Sequence, residues 1–157
     1  MPNDCLNNLE VSGNNIEIED FMKKISDSDK EVCFDILLPS PSDTKDICEW
    51  NIDNYGTKWN GYESQFNNEG VSFYTAWSTP LVFFDTVSKK FPDLTFTLTY
   101  FEPGCDFSGI TIFNNGFRIR DEWDTCQSEV SREIFGNEFI DSFFDEEDEI
   151  KEELEEI

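Results

Sequence analysis

The sequence predicts an α+β domain: an antiparallel sheet with helices on one face, an inserted helix, an extra β-hairpin and an acidic C-terminal helix or tail. Three observations predict it. Short segments alternate apolar and polar residues, two segments between them repeat apolar residues at helical spacing, and Asn-, Gly- and Pro-rich breaks fall between the runs.

The first strand is read at residues 5–11, where Cys5, Leu6, Leu9 and Val11 precede the turn-like Ser12-Gly13-Asn14-Asn15. A helix follows, with Ile16, Ile18, Phe21, Met22 and Ile25 near one face and Ser26-Asp27-Ser28-Asp29 ending it. Residues 32–38 form an apolar run stopped by Pro39-Ser40-Pro41, read as a second strand. Within 42–60 an inserted helix capped by Ser42 or Asp43 carries Ile47, Cys48 and Trp50. Strands at 62–66 and 71–77 flank the hairpin turn Asn67-Asn68-Glu69-Gly70. Thr79-Pro80 then supplies an N-cap and first helical position for a helix whose buried stripe is Leu81, Phe84, Val87 and Phe91. A threonine-rich strand at 94–101 and a hairpin at 110–113 and 117–119 around Asn114-Asn115-Gly116 complete the sheet. Two such β-α-β units give the split ferredoxin-like arrangement over residues 1–120, leaving 121–157 as an acidic extension. "Ferredoxin-like" names a topology only, because the cysteine spacing offers no iron–sulfur ligand set.

Charge bounds the function. The 157 residues contain 35 Asp and Glu against 11 Lys and Arg, a net −24, and self-repulsion at that density opposes compaction. Sixteen Phe, four Trp and four Tyr supply the burial that offsets it. Nucleic acid is excluded as a ligand, since phosphate binding draws its affinity from basic side chains and the only arginines are Arg118, Arg120 and Arg132. The expected partner is a basic protein. No histidine occurs, which removes the usual nucleophile-activating base and histidine-bearing zinc sites. With so many carboxylates, chance pairs carry no information about catalysis, so the chain is read as non-enzymatic, without catalytic residues.

Asp27 and Asp29 lack the spacing of a calcium loop, and neither a metal site nor a cofactor is expected. Cys5, Cys33, Cys48, Cys105 and Cys126 are odd in number and far apart, which fits reduced thiols in a cytoplasm. No stretch approaches the length of a membrane span, and Met1-Pro2-Asn3-Asp4 does not open a secretory signal. Trp50, Trp59 and Trp77 are read as indoles that pin the inserted segment to the sheet.

Several blocks resemble the YubB-type ferredoxin-like proteins of bacterial plasmids and phages. They are Met1-Pro2-Asn3-x-Cys5 with Asn7-x-Leu9-x-Val11-x-Gly13, Trp50 through Gly56-Thr57-Lys58-Trp59-Asn60, Thr75-Ala76-Trp77-Ser78-x-Pro80, and Tyr100-Phe101-Glu102-x-Gly104-x-Asp106-Phe107-Ser108-Gly109. Asp4 stands where that family commonly has an aromatic, and the acidic tail looks like an addition. The resemblance implies the fold, a mobile-element origin and a bacterial host cytoplasm, with no catalytic residues to carry over.

Residues 141–157 hold ten acidic residues against one Lys, −9, leaving −15 on residues 1–140. Phe143, Ile150, Leu154 and Ile157 fall near one helical face, and acids cover the others. Carboxylates three or four positions apart on a helix lie about 5–6 Å apart and imitate a row of phosphates. The expected partner-binding residues are therefore Asp141, Asp145, Glu146, Asp148, Glu149, Glu152, Glu153 and Glu156, with Phe143 and Phe144 as exposed anchors. The expected partner is the basic nucleic-acid channel of a host nuclease, either a CRISPR effector or a restriction enzyme. The alternative is a scaffold or accessory module of a plasmid or phage complex that binds through its sheet face.

Overall fold

The computed structural model describes residues 2–155, with the side chains of 146–150 outside the description. In order the elements are β1 (Asp4–Ser12), α1 (Asn15–Ile25), α2 (Ile47–Tyr55), β2 (Tyr62–Phe66), β3 (Gly70–Ala76), α3 (Leu81–Val87), β4 (Thr95–Glu102), β5 (Phe107–Asn114), β6 (Phe117–Asp124), α4 (Glu129–Phe135) and α5 (Asn137–Glu155). The six strands form one sheet in the order β2-β3-β1-β4-β5-β6, and every neighbouring pair is antiparallel. The first four strands with α1 and α3 make the split β-α-β arrangement expected from the sequence, and β5–β6 is the added hairpin.

Period-two burial sets the main core. On one face Leu9 and Val11 of β1, Val71 and Phe73 of β3, Phe96 and Leu98 of β4 and Phe113 of β5 are buried against Ile18, Phe21 and Ile25 of α1 and Phe83, Phe84 and Val87 of α3. The opposite face carries Leu6, Asn8, Thr97, Thr99 and Phe101, and α4 and α5 cover its Phe101 end. The sequence reading placed helices on one face only; the C-terminal pair occupies the other.

Three local expectations fail for identifiable reasons. Residues 32–38 are not a strand, although Val32, Phe34 and Leu37 are buried. The Val32 N–H donates to Ser64 Oγ at 3.0 Å and the Phe34 N–H to Asn60 Oδ1 at 2.9 Å, so side chains take the place of a ladder. The inserted helix is capped by Asp46, which accepts from the Glu49 N–H at 3.1 Å, rather than by Ser42 or Asp43. The Thr79 hydroxyl points inward and donates to Asn7 Oδ1 at 2.8 Å, so α3 begins at Leu81 without a side-chain cap.

The Asn115-Gly116 turn holds φ of 48° and 82°, the left-handed pair that a two-residue hairpin requires. β6 runs on to Asp124, across the position where the sequence reading divided the chain. Trp50 is half-buried and edge-on to Tyr55 at 5.2 Å, but Trp59 and Trp77 are exposed, so two of the three indoles do not pin the insertion.

Candidate functional site

The C-terminal helix is attached at one end. Phe101, buried on the second face of β4, sits edge-on to Phe135 of α4 at 5.6 Å and to Phe139 and Phe143 of α5 at 5.4 and 5.2 Å. Ile140 is fully buried in the same cluster, with Cys126. A spacing of four places Phe139 and Phe143 on one face of α5 toward the sheet, and Phe135 reaches the same cluster from the end of α4, before the break at Gly136. Phe143 and Phe144 are half-buried here, where the sequence reading had them exposed, because Phe101 occupies their faces.

Asp141 is exposed and already engaged: it accepts from Arg132 Nη1 at 2.9 Å, tying α5 to α4. Asp145, Glu152 and Glu153 are exposed on α5, and no ion pair holds them among the described residues. Glu146, Asp148 and Glu149 lie in the helix with side chains outside the description, and Glu156 lies outside the described residues. Leu154 is exposed, and the Ile150 side chain lies outside the description, so among the described residues Phe144 is the last of the apolar stripe seen against the body. Phe101, Phe135, Phe139 and Ile140 were not among the residues expected from the sequence; the signal for the α5 members was the continuation of the Phe143 stripe back through Ile140 and Phe139 at spacings of three and four.

Two concave regions open on the second face. A trough of about 690 Å³ is lined by Asn8, Ser72, Thr97, Thr99, Arg120 and Phe135. Its one cation, Arg120, is paired with Glu122 at 2.8 Å. A cavity of about 590 Å³ lies at the other end, between Asp4, Tyr74, Phe101, Glu102 and the α5 rings Phe139 and Phe143. Beside it Tyr62 stacks on Tyr74 with centroids 6.1 Å apart and donates to the Asp4 carboxylate. Burial first, and that hydrogen bond second, push the Tyr62 phenol well above its usual range.

All five cysteines are free thiols. Burial pushes Cys126 up to about 12 and Cys5 higher still, and a hydrogen bond with Glu102 raises the exposed Cys105. Each shift disfavours the nucleophilic thiolate. Among the described residues no three His, Cys, Asp or Glu side chains converge to hold a metal ion. Nor is any helix of the described residues long and apolar enough to cross a membrane. Asp27 accepts from the Asp29 and Glu31 N–H groups at 2.9 and 3.0 Å, which explains that acidic loop as a turn.

These features define a ferredoxin-like α+β domain with an aromatic-docked acidic helix. The family model for the ferredoxin-like domain in Api92-like proteins matches residues 54–155, and the chain belongs to that family. That match spans β2 through α5, including the acidic helix. Among solved structures, the crystal structure of protein api92 from Yersinia pseudotuberculosis is similar at 13% identity and a TM-score of 0.47. The likeness covers 57% of this chain and 38% of that one, so this chain spans well under half the length of that relative. No curated protein matches the sequence.

Proposed function

We propose that this protein is a non-catalytic binding protein of a mobile genetic element, YubB-like in its motif blocks, that inhibits a host defence nuclease by occupying its basic nucleic-acid surface. The observation that carries the reading is the exposed acidic end of α5. Asp145, Glu152 and Glu153 lie free of ion pairs among the described residues, on a chain of net charge −24. Predominantly negative charge on a helix whose described docking contacts end at Phe144 gives fast, salt-sensitive association with a basic groove. Phe143 and Phe144 fix that helix to the body, and the carboxylates beyond them meet the partner's Lys and Arg.

The test is a pull-down from bacterial lysate at low and then high salt, with duplex DNA as competitor. Recovery of a nuclease that salt and DNA both release supports the reading. The triple variant D145N/E152Q/E153Q keeps the docking cluster intact and is expected to weaken capture about tenfold, in line with the loss of several close charge pairs. Capture indifferent to salt, DNA and the variant overturns it.

A scaffolding role is the second reading, favoured by β6. All eight residues of that edge strand are exposed, among them Phe117, Ile119 and Trp123, a surface suited to strand pairing with another protein. Removing residues 145–157 leaves such a partner bound and releases a nuclease held by the acidic helix.

A further inference from the structure

Glu102 ends β4 with a side chain that is completely buried. Its Oε1 accepts from the Gly104 N–H at 2.6 Å and its Oε2 from the Cys105 N–H at 3.0 Å, and among the described residues no Lys or Arg pairs with it. The Cys105 thiol also hydrogen-bonds to it, but a buried carboxylate without a cationic partner keeps a negative potential that these neutral groups offset only in part. Glu102 is among the residues lining the 590 Å³ cavity, its carboxylate behind the surface, and the exposed Asp4 carboxylate, which accepts from the Tyr62 hydroxyl, adds a second negative group.

Four rings share the remaining walls with Pro2, Asn3, Leu6, Pro103 and Gly104. Phe139 and Phe143 stand at 78° and 80° to Phe101, and Tyr74 contributes the fourth ring from β3. These edge-to-face contacts close off Phe101, so the aromatic surface open to the cavity is that of Tyr74, Phe139 and Phe143, and a ring face turned to a guest attracts an organic cation. Phe139, 38% exposed, stands at the rim, so a guest reaches the cavity without displacing core.

The chemistry selects the guest. Two carboxylates repel anions, and a metal ion would find too few oxygen or sulfur ligands here. A neutral apolar guest would gain nothing from the negative potential of the two carboxylates. We infer that the cavity between β1, β3, β4 and α5 is a binding site for an alkylammonium group, held by cation–π contact with Tyr74, Phe139 and Phe143 and by the charge of Asp4 and Glu102. The group is supplied either by a small quaternary amine or by a lysine side chain. The site stands whether or not the acidic end of α5 engages a nuclease.

The experiment follows amide and aromatic-ring resonances of the full chain by NMR during titration with tetramethylammonium chloride, Nα-acetyl-lysine methylamide and the neutral isostere 3,3-dimethylbutan-1-ol. Saturable shifts at Tyr74, Phe101, Gly104, Phe139 and Phe143 are expected for the cations, with the neutral alcohol at least about fivefold weaker. Tighter binding of tetramethylammonium assigns the source to a small amine, and tighter binding of the capped lysine assigns it to a protein side chain. F139A is expected to weaken the cation about fivefold or more, F139Y to restore it, and D4N to weaken it about threefold without altering the fold. Equal binding of the neutral alcohol, absence of shifts at these residues with either cation, or unchanged affinity in F139A with native spectra overturns the site.

Discussion

Replacing Phe101 by Ala separates the docking of the C-terminal helices from the stability of the sheet. Phe101 is 2% exposed and meets four rings, Phe135, Phe139, Phe143 and Phe144, at 5.2 to 6.4 Å. A buried Phe→Ala change costs about 3–5 kcal/mol through lost transfer energy and the cavity left behind. The energy holding α4 and α5 is of the same size. One fully buried side chain, Ile140, and three half-buried rings correspond to about 4–7 kcal/mol of apolar burial before entropy and repulsion are subtracted. Ordering the helices and bringing their acidic residues onto an acidic body consume much of that. F101A therefore exceeds the net docking energy, and α4–α5 leaves the sheet while the six strands remain paired.

The measured loss is then capped at the docking energy, about 2–4 kcal/mol in urea denaturation. In native-state hydrogen exchange the amides of 140–144 lose their protection while those of β1 and β4 keep theirs. Added salt should recover part of the docking, because it screens repulsion between α5 and the body. Wild-type protection of 140–144 in F101A, or a loss below about 1 kcal/mol, refutes the reasoning.

Two further outcomes follow from buried groups. Cys126 ionises at about 12 when folded against 9.0 for the free thiol, and Cys5, Tyr55 and Tyr62 are raised in the same sense. In each case the unfolded chain loses its proton first, so stability is unaffected by these groups below about pH 9 and falls as pH rises toward 12, which melting temperatures across that range will report. A Cβ on Gly70 would lie 1.9 Å from the Leu9 carbonyl oxygen across the β1–β3 ladder, so G70A is expected to destabilise by more than about 3 kcal/mol in urea denaturation; a loss under about 1 kcal/mol would mean the strands part more readily than their spacing indicates.

Where sequence and structure agree, the signal was periodic or local. The alternation that starts at Cys5 and the Asn-Asn-Gly turn each specify their geometry within a few residues, and β1 and the β5–β6 hairpin follow. Residues 32–38 mislead because an apolar run reports burial and not hydrogen bonding. Val32 and Phe34 are in the core, but the partners of their N–H groups, Ser64 and Asn60, lie far along the chain. Thr79 misleads for a related reason: its hydroxyl had two uses, and the one chosen depends on Asn7, buried in a strand whose neighbours the sequence does not announce. The aromatic cavity was illegible because Asp4, Tyr74, Glu102 and Phe139 come from four elements and share no spacing.

The division of α5 links the two proposed activities. Its first turns carry Phe139, Ile140, Phe143 and Phe144 against Phe101, while Asp145, Glu152 and Glu153 beyond them are exposed. Phe139 and Phe143 serve both that docking and the cavity. A guest in the cavity binds only the docked arrangement, and any ligand that selects one state stabilises it by RT ln(1 + [L]/Kd). Occupancy of the cavity therefore sets how firmly the acidic end of α5 is held relative to the body, and with it the entropy that a partner must overcome to engage those carboxylates. F101A removes the cavity and the docking together, whereas D4N weakens only the guest; D4N therefore separates an effect of cation binding on partner affinity from an effect of the helix itself.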